Sequence, residues 1–224
     1  MFGQAIGEIL PLAVAVAISP LPVSAVILIL ISRRAQWNSM AFFAGWAGGL
    51  LAVGAIVLSF GSASSSGDGG ASTASGLVRL GLGGVFIVLA VRQWDRRPRE
   101  GRLMSTPAWM AGLDRFSVQK AFALGLVLSA INPKNLGLTI AAASTIAAAD
   151  LTSGDEISVF AVFLVVGCST VAAPAAYFAV AGKRAAKGLE RMKTWLIAHS
   201  SIVMTVLLTL IAAKLIGDGL GIVS

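Results

Sequence analysis

Charged residues are scarce in this chain, and their scarcity excludes a water-soluble globular domain. Only 12% of the 224 residues are charged, whereas 57% are hydrophobic; soluble domains are about 25% charged. The single cysteine, Cys168, excludes an intramolecular disulfide and a zinc site made of thiolates. The single histidine, His199, excludes a metal site made of several imidazoles. The sequence also has no phosphate-binding loop and no nucleophile–base set, so we expect neither an enzyme nor a bound cofactor or metal.

Long apolar runs are abundant, and they predict an all-α integral membrane protein with six transmembrane helices. A helix needs about 20 apolar residues to cross a bilayer. Hydropathy alone leaves open five spans with a re-entrant segment. The N-terminus has no Lys or Arg before Arg33, so we interpret the first run as a permanent span rather than a signal peptide. The six runs lie at residues 9–32, 40–60, 75–91, 121–149, 157–182 and 194–213.

Basic residues are concentrated in alternate links between these runs. The links after the first, third and fifth runs hold 14 of the 17 Lys and Arg residues, whereas links 61–74 and 150–156 hold none. Positive charge marks cytoplasmic loops, so we expect a plasma-membrane protein with both termini outside. Within the basic link 93–117, the pattern of residues 107–116 predicts a short interfacial helix. We attribute the basic charge to topology and to anionic lipids at the cytoplasmic face, not to nucleic-acid binding.

A short motif occurs twice, half a chain apart. Ala17-Ile18-Ser19-Pro20 in the first run matches Ala130-Ile131-Asn132-Pro133 in the fourth. Each motif opens a set of three runs, so the second set must be inverted in the membrane relative to the first. The pattern predicts inverted three-helix repeats at 1–92 and 118–224, as in many secondary transporters. The alternative is two unrelated proline kinks, which membrane helices tolerate.

The two motifs predict that helices 1 and 4 are broken inside the membrane. Proline in the first turn of a helix loses no hydrogen bond, and Ser or Asn before it is a good N-cap. New half-helices are therefore expected to begin at Ser19-Pro20 and at Asn132-Pro133. The N–H groups and positive dipole ends of these half-helices would face the protein interior, where they favour an anion.

Lys134 is the only charged residue in the fourth run. It lies about 20 Å from either end of the run, too far for its side chain to reach water, and a lone cation there costs about 3 kcal/mol. It either donates to carbonyls that the helix break frees, or faces a wet cavity and binds an anionic group of a substrate. The candidate substrate-binding residues are therefore Ser19, Pro20, Pro22, Asn132, Pro133, Lys134 and Asn135.

The motifs Ile18-Ser19-Pro20 and Ile131-Asn132-Pro133-Lys134, with the glycine-rich stretch 42–54, resemble the lysine-exporter (LysE) superfamily. Within it the chain is most similar to the sulfolipid-addressing and glycopeptidolipid-addressing (Sap/GAP) proteins. The resemblance implies six helices in two inverted repeats and often a homodimer. It also implies export of envelope glycolipids across the plasma membrane of actinobacteria-like cells. Asn135 stands where Pro22 stands in the first motif, so the two halves are not identical.

These observations predict a transporter that moves an anionic lipid or glycolipid to the cell envelope. Two other functions stay open: an exporter of a small solute such as an amino acid, and a non-transporting scaffold for lipid-synthesis enzymes. The Gly45-x-x-x-Gly49 pattern in the second run is typical of close helix contact, and it does not by itself establish a dimer.

Overall fold

The computed structural model describes residues 1–32, 34–64, 73–95 and 117–223, and all of its regular structure is helical. No strand occurs among these residues, which confirms the all-α class. The predicted interfacial helix at 107–116 lies outside the described residues. A π-helical turn, Val127–Ile131, follows the helix Val118–Leu126, and a 3-10 turn, Gly182–Arg184, precedes the helix Ala185–Val223. The α-helices are α1 (Phe2–Ala17), α2 (Pro20–Ile31), α3 (Ala35–Ser64), α4 (Thr73–Asp95), α5 (Val118–Leu126), α6 (Pro133–Ala147), α7 (Ser153–Ala181) and α8 (Ala185–Val223).

The helices are long and apolar enough for a multi-pass membrane protein. Four unbroken helices among the described residues are candidate spans: Ala35–Phe60, Gly76–Asp95, Ser153–Ala181 and Ser201–Val223. Two bent helix pairs add two more if each pair counts as one span: α1 with α2, bent by 51°, and Val118–Ile131 with α6, bent by 61°. The described residues therefore contain four to six candidate spans.

Helix α8 continues beyond the apolar run 194–213 that marks the sixth predicted span. It passes through Lys214 and Asp218 and ends at Val223. Lys214 Nζ lies 2.8 Å from Asp218 Oδ2, and Arg79 NH1 of α4 lies 3.7 Å from the same oxygen. The single carboxylate offsets one of the two positive charges.

The first break follows from the proline of the first motif. Pro20 has no N–H to continue the hydrogen-bond ladder of α1. The Ser19 N–H turns back to the carbonyl of Ala17 over 2.8 Å, and α1 ends at Ala17. The extended backbone of Ser19 then lets α2 begin at Pro20 in a new direction.

The second break contains an extra residue in its last turn. The Asn132 N–H donates to the Val127 carbonyl, five residues back, over 3.1 Å. This wider turn is the π-helical segment, a form that often marks functional sites. Pro133 then opens α6, as the second motif predicts.

The two half-helices α2 and α6 form the centre of the bundle. Helix α2 packs against α3, α7 and α8, whereas α6 packs against α1, α3, α4 and α7. Helices α4 and α8 run antiparallel beside each other: a Cβ at Gly219 would lie 2.9 Å from the Gly76 carbonyl oxygen, and Gln93 donates to Ser201 over 3.3 Å. The core side chains of α2 are less than 3% exposed and are Val23, Ala25, Val26, Ile27, Ile29 and Leu30.

The exposed Trp and Tyr residues of the described chain lie near one end of the bundle. Each is between 46% and 68% exposed and lies close to a basic link: Trp37, Trp94, Tyr177 and Trp195. Trp and Tyr favour the boundary between hydrocarbon and headgroups. These residues therefore mark a membrane interface at the end of the bundle that carries the basic links, which we call the basic end.

Candidate functional site

The Lys134 ammonium joins the second helix break to the first. It extends from the first turn of α6 and donates to the Ala15 carbonyl over 2.8 Å, to the Ile18 carbonyl over 3.2 Å and to Ser19 Oγ over 2.6 Å. Met204 Sδ of α8 lies 3.7 Å away as a weaker acceptor. An ammonium has three N–H donors, so the two carbonyls and the hydroxyl engage all of them.

The oxygens that bind Lys134 lack the partners that an unbroken helix would give them. The residue four positions after Ile18 is Pro22, which has no N–H. The residue four positions after Ala15 is Ser19, whose N–H donates to Ala17 instead. A buried carbonyl without a donor is costly, so Lys134 stabilises the break. This is the first of the two interpretations of Lys134, in which it binds carbonyls freed by the break.

A second set of hydrogen bonds extends from Ser19 into the second break. Ser19 Oγ donates to Asn135 Oδ1 over 3.2 Å, and Asn135 Nδ2 donates to the Leu128 carbonyl over 2.8 Å. The π-helical partner of that carbonyl would be Pro133, which has no N–H. Ser19 is 4% exposed and Asn135 is fully buried. We call the connected residues Lys134, Ser19 and Asn135 the central network.

The remaining predicted site residues act mainly through the backbone. Asn132 caps α6 as predicted, because its Oδ1 accepts the Lys134 N–H over 3.1 Å. Ser19 does not cap α2: its side chain makes no cap bond and belongs to the central network instead. The prolines remove N–H groups. Because Pro20 and Pro22 both lie in the first turn of α2, this helix presents fewer free N–H donors to an anion than the sequence predicts.

Two residues outside the motifs also contact the break. Thr170 Oγ1 of α7 donates to the Ala17 carbonyl over 2.6 Å, so it caps the end of α1. Met204 places its thioether beside the ammonium. A threonine and a methionine in apolar spans carry no sequence signal of their own, and only the packing of α7 and α8 identifies them.

Glycines hold α3 tightly against the second broken helix. A Cβ added at Gly45 would overlap the Phe122 carbonyl oxygen, and one at Gly49 would overlap Ser129 Oγ in the π-helical turn. Gly125 of α5 faces α3 in the same way. The Gly45-x-x-x-Gly49 pattern therefore serves a contact within the chain, and it fixes the position of the turn that precedes Asn132.

The chain was compared with known proteins. The model of the family described as Sap, sulfolipid-1-addressing protein, matches residues 9–221. That match includes both proline motifs and every residue of the central network. Comparison with curated proteins and with solved structures gave no match. The predicted similarity to the Sap proteins is confirmed, and the chain belongs to the Sap, sulfolipid-1-addressing protein family.

Proposed function

We propose that this protein translocates a lipid with an anionic headgroup across the plasma membrane to the cell envelope. The observation that carries the proposal is the Lys134 ammonium at the centre of the bundle, bound only by neutral oxygens and a thioether among the described residues. A positive charge without a carboxylate partner favours a ligand that carries a negatively charged group. The family name refers to the addressing of a sulfolipid, whose sulfate is such a group.

In the proposed mechanism the headgroup competes with the protein for the ammonium. Its acidic oxygens replace the Ala15 and Ile18 carbonyls as acceptors from Lys134, because a hydrogen bond between two charged groups is stronger than one to a neutral carbonyl. Ser19 Oγ lies 2.6 Å from the ammonium, and it contributes a second donor when its hydroxyl turns from Asn135 Oδ1 to the headgroup. The acyl chains stay against the apolar exterior of the bundle. Binding therefore releases the carbonyls of the first break and loosens the contact between the two breaks.

The helix packing supports an inverted repeat. In the two repeats, α1 to α4 correspond in order to α5 to α8. Helix α3 packs on α5, and its counterpart α7 packs on α1; likewise α2 packs on α8, and its counterpart α6 packs on α4. Such exchanged pairs are expected if 1–92 and 118–224 are inverted copies. We propose six spans in a LysE-type arrangement, with alternating access produced by rocking of one repeat against the other. Leu21 stands where Lys134 stands in the second motif, so this arrangement has one central cation rather than two.

The proposed orientation places the basic end in the cytoplasm and both termini outside. Anionic lipids of the inner leaflet would then lie against the exposed cations at that end, among them Lys187 and Arg191. A homodimer stays a prediction from the LysE resemblance, since the glycine pattern that suggested close contact is used within the chain.

A translocation assay tests the function. The full chain is reconstituted into phosphatidylcholine vesicles that contain sulfatide, a sulfated glycolipid, with a fluorophore on its acyl chain. Dithionite added outside then reports how fast inner-leaflet lipid emerges. We expect the wild-type protein to accelerate emergence, Lys134→Met to abolish the acceleration, and Lys187→Gln at the basic end to behave as wild type.

Equal rates for wild type and Lys134→Met would refute the role of Lys134. No acceleration by wild type, with correct insertion, would favour the scaffold function instead.

A further inference from the structure

A second group of charged side chains lies between α4 and α8, outside the central network. Lys214 Nζ of α8 lies 2.8 Å from Asp218 Oδ2, and Arg79 NH1 of α4 lies 3.7 Å from the same oxygen. Two cations therefore share one carboxylate, and the cluster carries one excess positive charge. We call these three residues the α4–α8 cluster.

Arg79 is the less well satisfied of the two cations. Its side chain is 12% exposed, and it makes no hydrogen bond with any residue in the described parts of the chain. The distance of 3.7 Å to Asp218 exceeds that of a charge-assisted hydrogen bond, which is about 2.7–2.9 Å. A guanidinium has five N–H donors in a planar fork that suits two acidic oxygens at once. Asp218, already bound to Lys214, does not fill that fork.

The glycine contacts between the two helices hold Arg79 in this position. A Cβ at Gly83 would lie 3.3 Å from the Ala212 carbonyl oxygen, and one at Gly76 would lie 3.2 Å from the Gly219 carbonyl oxygen. These contacts lie on either side of Arg79 along α4. Because helices packed this closely cannot slide past each other, the backbone of Arg79 is fixed beside Asp218.

The cluster lies along α8 from the central network, towards the end opposite the basic end. Helix α8 passes Lys134 at Met204, where the sulfur is 3.7 Å from the ammonium. Lys214 follows ten residues later, which is about 15 Å along a helix. Neighbouring side chains face outwards: Leu77 is 58% exposed and Leu220 is 56% exposed. The cluster is therefore next to lipid.

We propose that Arg79 and Lys214 form a second anion-binding site that takes the acidic headgroup of a membrane lipid. The Asp218 carboxylate occupies part of the site in this structure and is displaced when the headgroup binds. The headgroup places two oxygens in the Arg79 fork and a third against Lys214, while its acyl chains lie beside Leu77 and Leu220. The site does not depend on the proposed translocation, since it requires only lipid at this end of α4 and α8.

Lipid retention by the purified full chain tests the site. The protein is held in mixed micelles of phosphatidylcholine with increasing phosphatidylglycerol, and native mass spectrometry counts the retained phosphatidylglycerol. We expect Arg79→Gln to weaken retention about tenfold, because a charged hydrogen-bond donor is lost. Asp218→Asn should strengthen retention about tenfold, because the competing carboxylate is removed. The control Thr209→Val, on the exposed face of the same helix and outside the cluster, should leave this retention unchanged.

The two Asp218 outcomes separate a binding site from a structural ion pair. If the cluster only joins α4 to α8, Asp218→Asn will weaken retention or leave it unchanged, and the proposal is wrong. Wild-type retention by Arg79→Gln would also overturn it. Should Arg79→Gln not fold, Arg79→Lys keeps the charge without the fork and should give intermediate retention. Spraying the protein from ammonium sulfate instead of ammonium acetate, at equal ionic strength, distinguishes lipid headgroups from free anions. If sulfate displaces the retained phosphatidylglycerol, the site also binds free anions. If the phosphatidylglycerol stays bound, the site binds lipid headgroups.

Discussion

Ser19 donates a hydrogen bond to Asn135 over 3.2 Å, although the two residues are 116 positions apart in the chain. Ser19 lies in the first proline motif and Asn135 lies two residues after the proline of the second, and each is almost completely buried. Each also bonds to a group at a helix break: Ser19 accepts from the Lys134 ammonium, and Asn135 donates to the Leu128 carbonyl, which the second break leaves without a backbone donor. The two breaks therefore stabilise each other, and a movement of one must be transmitted to the other.

The first prediction is energetic coupling between these two residues. In a double-mutant cycle of Ser19→Ala and Asn135→Leu, we expect a coupling of about 1 kcal/mol, since contacting residues of one network are not additive. The free energy of unfolding would be measured by denaturant titration in detergent micelles. As a control, Ser19→Ala combined with Thr209→Val on the exposed face of α8 should be additive. A coupling of zero for Ser19 and Asn135 would contradict the contact.

The second prediction concerns the stability of the first break. Lys134→Met keeps the length of the side chain and leaves the Ala15 and Ile18 carbonyls without their donor. An unsatisfied buried acceptor costs about 1–3 kcal/mol. Removing a lone buried charge would by itself not harm stability, but the hydrogen bonds of Lys134 predict a loss. Hydrogen exchange would detect it as faster exchange of amides near the end of α1, and exchange as slow as in wild type would refute it.

The third prediction concerns the packing of α3 on the second broken helix. Gly45→Val should destabilise the protein by about 1–3 kcal/mol, because the added atoms overlap the backbone of Phe122 and overpacking is costly. The control is Gly48→Val, three residues later in the same helix, where an added Cβ meets no other atom within 4 Å. It separates the effect of the close contact from that of replacing a helical glycine by valine. Thermal unfolding in detergent measures both. Equal melting temperatures for the two variants would show that the close contact does not exist in solution.

The fourth prediction is the membrane topology. Single cysteines replace Arg97, Lys187, Ser65 or Gly154 in a Cys168→Ser background, and intact cells are treated with an impermeant thiol reagent. Because basic links stay in the cytoplasm, we expect labelling only at positions 65 and 154. Labelling at position 97 in sealed cells would overturn the orientation. As a control, permeabilised cells show whether the cysteines at positions 97 and 187 can react with the reagent at all.

The fold class and the positions of the helix breaks could be predicted because their causes are local. Apolar length determines where a helix crosses a membrane, and a proline without an N–H determines where α1 stops. The partners of Lys134 could not be deduced, since both interpretations agree with an isolated lysine in an apolar run. Which one holds depends on how α6 packs against α1. The pairing of Arg79 with Asp218 could not be deduced for a similar reason, since the two residues belong to different helices.

The ammonium of Lys134 occupies a place that resembles the coordination shell of a monovalent metal ion, formed by two backbone carbonyls and one hydroxyl. Unwound helices in transporters often hold sodium in such a shell. Here the shell lies in the first proposed repeat, and the cation is a side chain of the second. Because Lys134 is part of the chain, the shell is occupied whatever the salt concentration of the surroundings.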